Sequence, residues 1–314
     1  MVHAGAGPRH PLSATVFQPP RALGVIVAGA FAAWAFAVAF LSGSVASGAD
    51  PSFKTFLAWG AAAAATGLGI MFAAWAYALF TLAYVVDNGE LQIRWGFRRV
   101  VVPIGAVQRL VPGRTLDPPE VSGLNWWGCH IGSGAVRRVG YVLFYSTHSS
   151  PDELLYVVTD GEVYGLTVTD QAAFAEAIQA RASVAPFEAY PMQRSEALGP
   201  AALPFWRDRT AMAGVAVAAA LCAVVAGYVF TSYPGLPQVV ELSFPELGGI
   251  VRVGDRSEIL GIAYLAVGVL AANSVAGVVL HAFERAAGLW LIAAGAMLQA
   301  VLLGAALVAL STAG

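Results

Sequence analysis

The chain has 314 residues, of which 58% are hydrophobic and only 11% charged, against about 45–50% apolar and about 25% charged in ordinary soluble domains. Such a chain stays dispersed only where lipid covers it, and its formal net charge of −2 excludes a general nucleic-acid binder, which needs a basic face to displace counterions from phosphates. Lys54 is the only lysine, which closes lysine-dependent chemistry, and two cysteines, Cys129 in a polar segment and Cys222 in an apolar run, make no disulfide framework.

Residues 1–21 read as a cytoplasmic N-terminal tail. No charge occurs from Ala22 to Ala49, and the first part of that run is dense in Ala, Val, Phe and Trp. At 1.5 Å per residue it spans the roughly 30 Å of hydrocarbon in a bilayer, so a first crossing is expected over 22–41. The small residues Ser44-Val45-Ala46-Ser47-Gly48-Ala49 resemble a signal-peptidase site. The apolar run is nonetheless longer than a signal core and only Arg21 flanks it, so we read a retained helix. A second uncharged run, Thr55 to Val86, ends in β-branched and aromatic residues before Asp87-Asn88-Gly89. It predicts a crossing over 56–80 that leads into a strand and hairpin turn.

Between Leu82 and Val168 short β-type runs alternate with turn signals. Strands are expected at 82–86, 90–95, 98–102, 107–111, 141–146, 154–159 and 163–168, with Asp160-Gly161 supplying a second tight turn. Thr169 or Asp170 then caps a helix to about Ala182, whose apolar face is Phe174, Ala177 and Ile178. Seven strands closed by one helix, over residues 82–186, is the order of a pleckstrin-homology-like (PH-like) barrel. Residues 187–209 read as a linker, followed by crossings at 211–230, 259–280 and 287–310 around an outer loop, 231–258. The fold class expected is therefore a membrane protein of about five helices with an inserted, mostly β PH-like barrel.

The segment resembles bacterial PH-like domains found in membrane proteins. The resemblance rests on Tyr84, Gly89, Leu91, Ile93 and Gly96 in the opening hairpin, Val102-Pro103-Ile104 before the fourth strand, and Gly140, Phe144-Tyr145 and Thr147. Val157, Thr159, Tyr164, Asp170 and Phe174 complete it. It covers about 90 residues and implies a binding or scaffolding module, carrying fold rather than chemistry.

Three groups of residues are candidates for contact with a partner. Arg94, Arg98 and Arg99, just past the second crossing, are placed to face anionic headgroups, although adjacent strand residues point to opposite faces. The segment from Gly113 to Val139 departs from strand patterning and reads as a long loop holding Trp126, Trp127, His130, Arg137 and Arg138, a candidate partner-binding surface. Cys129-His130 has no second Cys or His pair at ligand spacing, so no metal is expected. The third group is in the outer loop, with Glu241, Phe244, Arg252 and Arg256 as its candidate residues. The order Leu236-Pro237, a short strand ending in Phe244, Gly248-Gly249 and Arg252-Val253-Gly254-Asp255-Arg256 resembles the extracytoplasmic loop of a bacterial domain of unknown function that also occurs in SdpI-like immunity proteins. That family often has His directly before the Phe, where this chain has Ser243. Leu236, Val240, Leu242 and Phe244 alternate too regularly for a solvated linker, so the loop is expected to fold onto the helix ends.

Asn273 is the polar residue singled out inside a crossing, and an interhelical hydrogen bond is its expected role. No charge sits mid-crossing, which removes the usual mark of an ion-coupled transporter. Phosphate-binding loops, nucleophile elbows and zinc-protease helices are missing, so we expect no enzyme and no catalytic, metal or cofactor residues. Trp59, Trp206 and Trp290 fall at crossing ends as interfacial anchors. Arg9, Arg21, Arg94, Arg98, Arg99, Arg207, Arg209 and Arg285 would share one face of the membrane, against Lys54, Arg252 and Arg256 on the other. By the positive-inside rule the chain is a multi-pass protein of the bacterial inner membrane, N-terminus inside and C-terminus outside. The expected function is a membrane-held binding module for anionic lipid or a protein, with an envelope-stress or peptide-immunity sensor as the alternative and a transporter component as a third.

Overall fold

The computed structural model describes residues 13–87, 89–182, 194–244 and 250–312, and for 241–244, 250–252 and 312 the backbone alone. In chain order the elements are β1 (Thr15–Phe17), α1 (Ala22–Gly48), α2 (Phe53–Phe80), β2 (Ala83–Val86), β3 (Glu90–Trp95), β4 (Arg98–Pro103) and β5 (Val107–Pro112). They continue as β6 (Ser122–Trp126), β7 (Cys129–Val136), β8 (Gly140–Ser146), β9 (Leu154–Thr159), β10 (Val163–Thr167), α3 (Gln171–Ala182) and β11 (Arg194–Ala197). The remainder is α4 (Arg209–Ser232), β12 (Val239–Phe244), β13 (Ile250–Asp255), α5 (Leu260–Phe283) and α6 (Arg285–Thr312). Among the described residues five helices are long and apolar enough to cross a membrane.

The chain divides into two compact units that share α1 and α2: one runs to Trp34 and resumes over Leu68–Ala202, and the other is Ala35–Gly67 with everything from Leu203. The first unit holds two sheets, ordered β1-β2-β3-β4-β11 and β5-β9-β10-β8-β7-β6. All strand pairs are antiparallel except β8 with β10. Among the described residues no strand pairing joins the two sheets, so the expected barrel is not closed. The sheets meet instead through a shared core of Leu82, Tyr84, Leu91, Ile93, Val157 and Leu166, which Phe174 and Ile178 of α3 cover. The hydroxyl of the buried Tyr84 joins them directly, donating to the carbonyl of Tyr145 at 2.6 Å and accepting from the amide of Thr167 at 3.2 Å. Asp170 caps α3 as expected, its Oδ1 accepting from the Ala173 amide at 2.9 Å.

Three expectations are corrected here. The N-terminal tail contributes β1, which pairs with β2. Arg181 of α3 latches it, donating to the Ser13 carbonyl at 2.7 Å and to Thr15 Oγ1 at 2.9 Å. The linker contributes β11, paired along β4 from Val101 to Arg98. The long loop is largely the β6–β7 hairpin, extending one sheet. Its glycines lower its strand propensity in the sequence but permit the pairing, since a Cβ on Gly132 would lie 2.1 Å from the Ser122 carbonyl oxygen.

α1 and α2 each run longer than expected. The serines of the small-residue segment keep α1 helical by bonding back to carbonyls three residues earlier, Ser44 to Leu41 and Ser47 to Ser44. At the start of α2, Ser52 Oγ accepts from the Thr55 amide at 3.3 Å while the Thr55 hydroxyl donates to the Asp50 carbonyl.

In the second unit α4, α5 and α6 approach through small residues: a Cβ on Gly277 of α5 would lie 2.6 Å from Ile292 of α6, one on Gly295 of α6 2.9 Å from Asn273 of α5, and one on Gly214 of α4 2.8 Å from Ile292. Such closeness lets dispersion hold helices together where lipid gives no hydrophobic drive. β12 and β13 form a hairpin from Val239–Asp255 to Phe244–Ile250. Val240 is buried in a cluster with Val229, Phe230, Ile259, Leu260 and Leu310, so the hairpin rests on the ends of α4, α5 and α6.

Candidate functional site

The residues singled out from sequence fall in different places. Register puts Arg94 opposite Arg99 on one face of the β3–β4 ribbon and Arg98 opposite Trp95 on the other. Arg94 donates to Gln92 Oε1 at 2.9 Å, and Gln92 donates to Glu90, a row along one strand face rather than a direct Glu90–Arg94 pair. Arg99 sits 3.7 Å from Glu196 on β11. The three arginines therefore do not converge.

β7 separates the second group. Trp126, Trp127 and His130 lie at the β6–β7 tip, whereas Arg137 and Arg138 turn from β7 into β8, roughly 20 Å away at 3.3 Å per residue. Arg138 has φ 73°, and exposed Arg137 is 3.9 Å from Asp117. In the third group Arg256 lies over the Tyr233 ring at 5.0 Å, while the side chains of Glu241, Phe244 and Arg252 lie outside the described residues. Asn273 bonds back to the Val269 carbonyl of its own helix rather than across helices. The interhelical bond belongs to Gln299 of α6, whose Nε2 donates to the Ala266 carbonyl of α5 at 2.7 Å. All helix faces are apolar here, so the sequence does not mark which amide is buried.

The β6–β7 tip is held against membrane-spanning segments. Trp126 packs edge-on to Trp75 at 4.9 Å and stacks on Phe72 at 6.0 Å. Gly128, at φ +77°, meets Gly24 of α1 backbone to backbone, and a Cβ on Gly24 would fall 2.2 Å from the Gly128 carbonyl oxygen. Cys129 is buried behind the tip, and that burial pushes its thiol up to about 11 against a smaller opposing hydrogen bond from Trp126. Trp127 is 74% exposed. It borders two clefts, an apolar one of about 490 Å³ along Val27, Ala30, Phe31 and Trp34, and a mixed one of about 620 Å³. The mixed cleft sets Asn125, His130, Thr147, His148, Ser149 and Ser150 beside Leu23, Trp126 and Trp127. His130 Nδ1 is 2.6 Å from Asn125 Oδ1. His148 Nδ1 is 3.2 Å from Thr147 Oγ1 and 3.3 Å from Glu153 Oε2. Burial, and then the neighbouring His148, hold the His130 imidazole below its ordinary range.

Two further features were not singled out from sequence. A groove of about 890 Å³ runs between α3 and β5. Consecutive residues Val107, Gln108, Arg109 and Leu110 line it, as when a strand presents its edge rather than a face. β5 pairs only with β9, and among the described residues no strand covers its other edge. Ala172, Ala175 and Ala182 of α3 leave the space, since larger side chains there would fill it. The second feature lies in the other unit, where Asp208 caps α4 through the Thr210 and Ala211 amides at 3.0 and 3.3 Å. Its Oδ2 also accepts from Arg285 Nε at 2.6 Å and lies 3.1 Å from His281 Nε2. Arg285 first, then His281, hold the Asp208 carboxyl well below the usual carboxylate range. Among the described residues no three His, Cys, Asp or Glu side chains gather to hold a metal.

The family described as Bacterial PH domain matches residues 82–182, from the start of β2 through α3, and this part of the chain is similar to it. Comparison with curated proteins and with solved structures returned no match to the chain.

Proposed function

We propose that this is a non-enzymatic protein of the bacterial inner membrane that displays its PH-like module at the cytoplasmic face and there holds an extended segment of a protein partner. The observation that carries the reading is the α3–β5 groove, open along an unpaired strand edge. An edge strand offers backbone donors and acceptors to an incoming strand, and a groove beside it receives alternate side chains. Arg109 and Arg114 line it together with Asp152 and Glu153, so its charge is balanced and the strand edge, not net charge, would select the segment. The flanking chain supports a fixed module: β1, just before α1, and β11, before α4, both pair into its first sheet. Orientation follows the arginine count, with Arg21, Arg94, Arg98, Arg99, Arg207, Arg209 and Arg285 on one side.

The test places a photo-crosslinking residue at Gln108 or Gln179, on the groove, and at Arg137, away from it, in cells of the native organism. The reading predicts a protein adduct from the groove positions alone, lost when Ala175→Trp fills the groove. Adducts of the same size from all three positions, or none, would contradict it. A second reading, a sensor of peptides in the manner of the immunity proteins, draws on the β12–β13 hairpin, because Val240 buried on the helix ends would pass hairpin movement to α4 and α5. A response to external peptide that survives deletion of residues 239–255 counts against it.

A further inference from the structure

We infer that the clefts on either side of Trp127 form one site for a single glycerophospholipid, its phosphate among His130, His148, Ser149 and Ser150 and one acyl chain along Val27, Ala30, Phe31 and Trp34. The inference rests on α1 crossing the membrane, and not on the α3–β5 groove.

The two clefts differ in chemistry and share a wall. Leu23 and Trp127 line the mixed one, Val27 and Trp127 the apolar one. Leu23 and Val27 are one helical turn apart, about 6 Å along α1 at 1.5 Å per residue. A lining that carries polar side chains thus gives way to one without them one turn inside a helix that starts at Ala22, the depth at which headgroups give way to hydrocarbon. From Val27 to Trp34 the apolar stretch is about 10 Å long, room for part of an acyl chain. A wholly apolar ligand would leave the polar side chains of the mixed cleft unmatched, and a wholly polar one the rest of the lining.

The polar side chains of the mixed cleft suit a phosphodiester. With each Nδ1 engaged by Asn125 or by Thr147 and Glu153, neither imidazole Nε2 has a hydrogen-bond partner among the described residues. In the neutral tautomer whose Nδ1 accepts, Nε2–H is a hydrogen-bond donor available to a phosphate oxygen. Ser149 and Ser150 are exposed on the β8–β9 connection and add hydroxyl donors. Glu153 lies 3.3 Å from His148 Nδ1 and so is already engaged there. An indole at the headgroup boundary, apolar body toward lipid, is the usual posture of an interfacial tryptophan, and it accounts for a large aromatic side chain left 74% exposed.

The experiment uses the full-length protein, purified in detergent, stripped of lipid and titrated with dioleoylphosphatidylglycerol, with bound lipid counted by native mass spectrometry. The site predicts one tightly held equivalent. The double variant His130→Asn/His148→Asn should weaken its retention about tenfold or more, the scale of a lost charge-assisted hydrogen bond. Trp127→Ser, at an exposed position where folding is not at stake, should weaken it as well. Gln179→Ala, in the groove, should not. The inference is overturned if all variants retain lipid equally, if Gln179→Ala matches the histidine variant, or if 10 mM inorganic phosphate displaces the lipid and so marks a site for free phosphate. A loss confined to the cleft variants supports the site even where groove crosslinking fails, and intact crosslinking with no specific lipid retention sinks this inference alone.

Discussion

Substituting Gly24 sets two opposing effects against each other, and the structure decides the sign. In a helix, Gly→Ala is ordinarily stabilising by about 0.5–1 kcal/mol, because alanine loses less conformational freedom on folding. At Gly24 the added Cβ would sit 2.2 Å from the Gly128 carbonyl oxygen and 3.0 Å from Leu79 Cδ1. An ordinary C···O contact is about 3.3 Å, so hairpin and helix must part by about 1 Å. Trp126 would then lose register with Trp75 and Phe72, two aromatic pairs contributing about 0.5–1.5 kcal/mol each. The net expectation is destabilisation by about 1–2 kcal/mol. Gly29 on the same helix has nothing within 4 Å of its built Cβ, so Gly29→Ala should be neutral or mildly stabilising. Thermal unfolding of both variants in detergent, with protease cleavage at the β6–β7 tip as a second readout, checks the contrast. A Gly24→Ala protein as stable as Gly29→Ala, with an equally protected tip, would falsify the docking of the hairpin on α1.

Tyr84→Phe removes the hydroxyl that joins the two sheets and leaves the Tyr145 carbonyl and Thr167 amide short of a partner. Destabilisation of about 2 kcal/mol is expected in the same assay, and no measurable change would count against that bridge. Native Cys129 should resist maleimide at neutral pH even in permeabilised cells, since it is buried and its thiolate forms only near pH 11; rapid labelling would contradict its placement. Asp208→Asn keeps the cap but removes the charge held by Arg285 and His281. The Asp208 carboxyl is depressed below its ordinary value, so its contribution is present above about pH 4 and lost as pH falls further. The variant should therefore melt below wild type at pH 7, with the gap narrowing under pH 4. A gap of constant size would assign the effect to packing.

What was legible in the sequence followed from repeated local signals. β2 to β4 alternate or run apolar between strong turns, and Asp170 with Phe174 and Ile178 marks α3 by cap and period. β1 and β11 were not legible, because Thr15-Val16-Phe17 and Arg194-Ser195-Glu196-Ala197 are too short for any pattern. Neighbouring edges recruit both, β2 for β1 and β4 for β11, and Arg181 adds its bonds to β1 alone. The β6–β7 hairpin was hidden by Gly123, Gly132 and Gly134, which read as breakers and act here as points of close approach. Trp126, Trp127 and His130 lie together at the β6–β7 tip, whereas Arg137 and Arg138 lie at the other end of β7. Asp208 lies 73 residues from His281 and 77 from Arg285, and the groove joins β5 to α3 across more than 60 positions of chain, so neither follows from spacing. The Trp127 clefts combine α1 with a hairpin 100 residues later, a juxtaposition that only tertiary packing makes.

The most direct test of a module fixed at the cytoplasmic face is paired thiol labelling in intact cells. Single cysteines replace Arg137, exposed in the module, and Ser257, exposed after β13, in a chain whose native cysteines are changed to alanine. An impermeant maleimide should modify position 257 at once and position 137 only after the membrane is permeabilised. Modification of position 137 in intact cells, with 257 protected, would invert the topology and contradict the account.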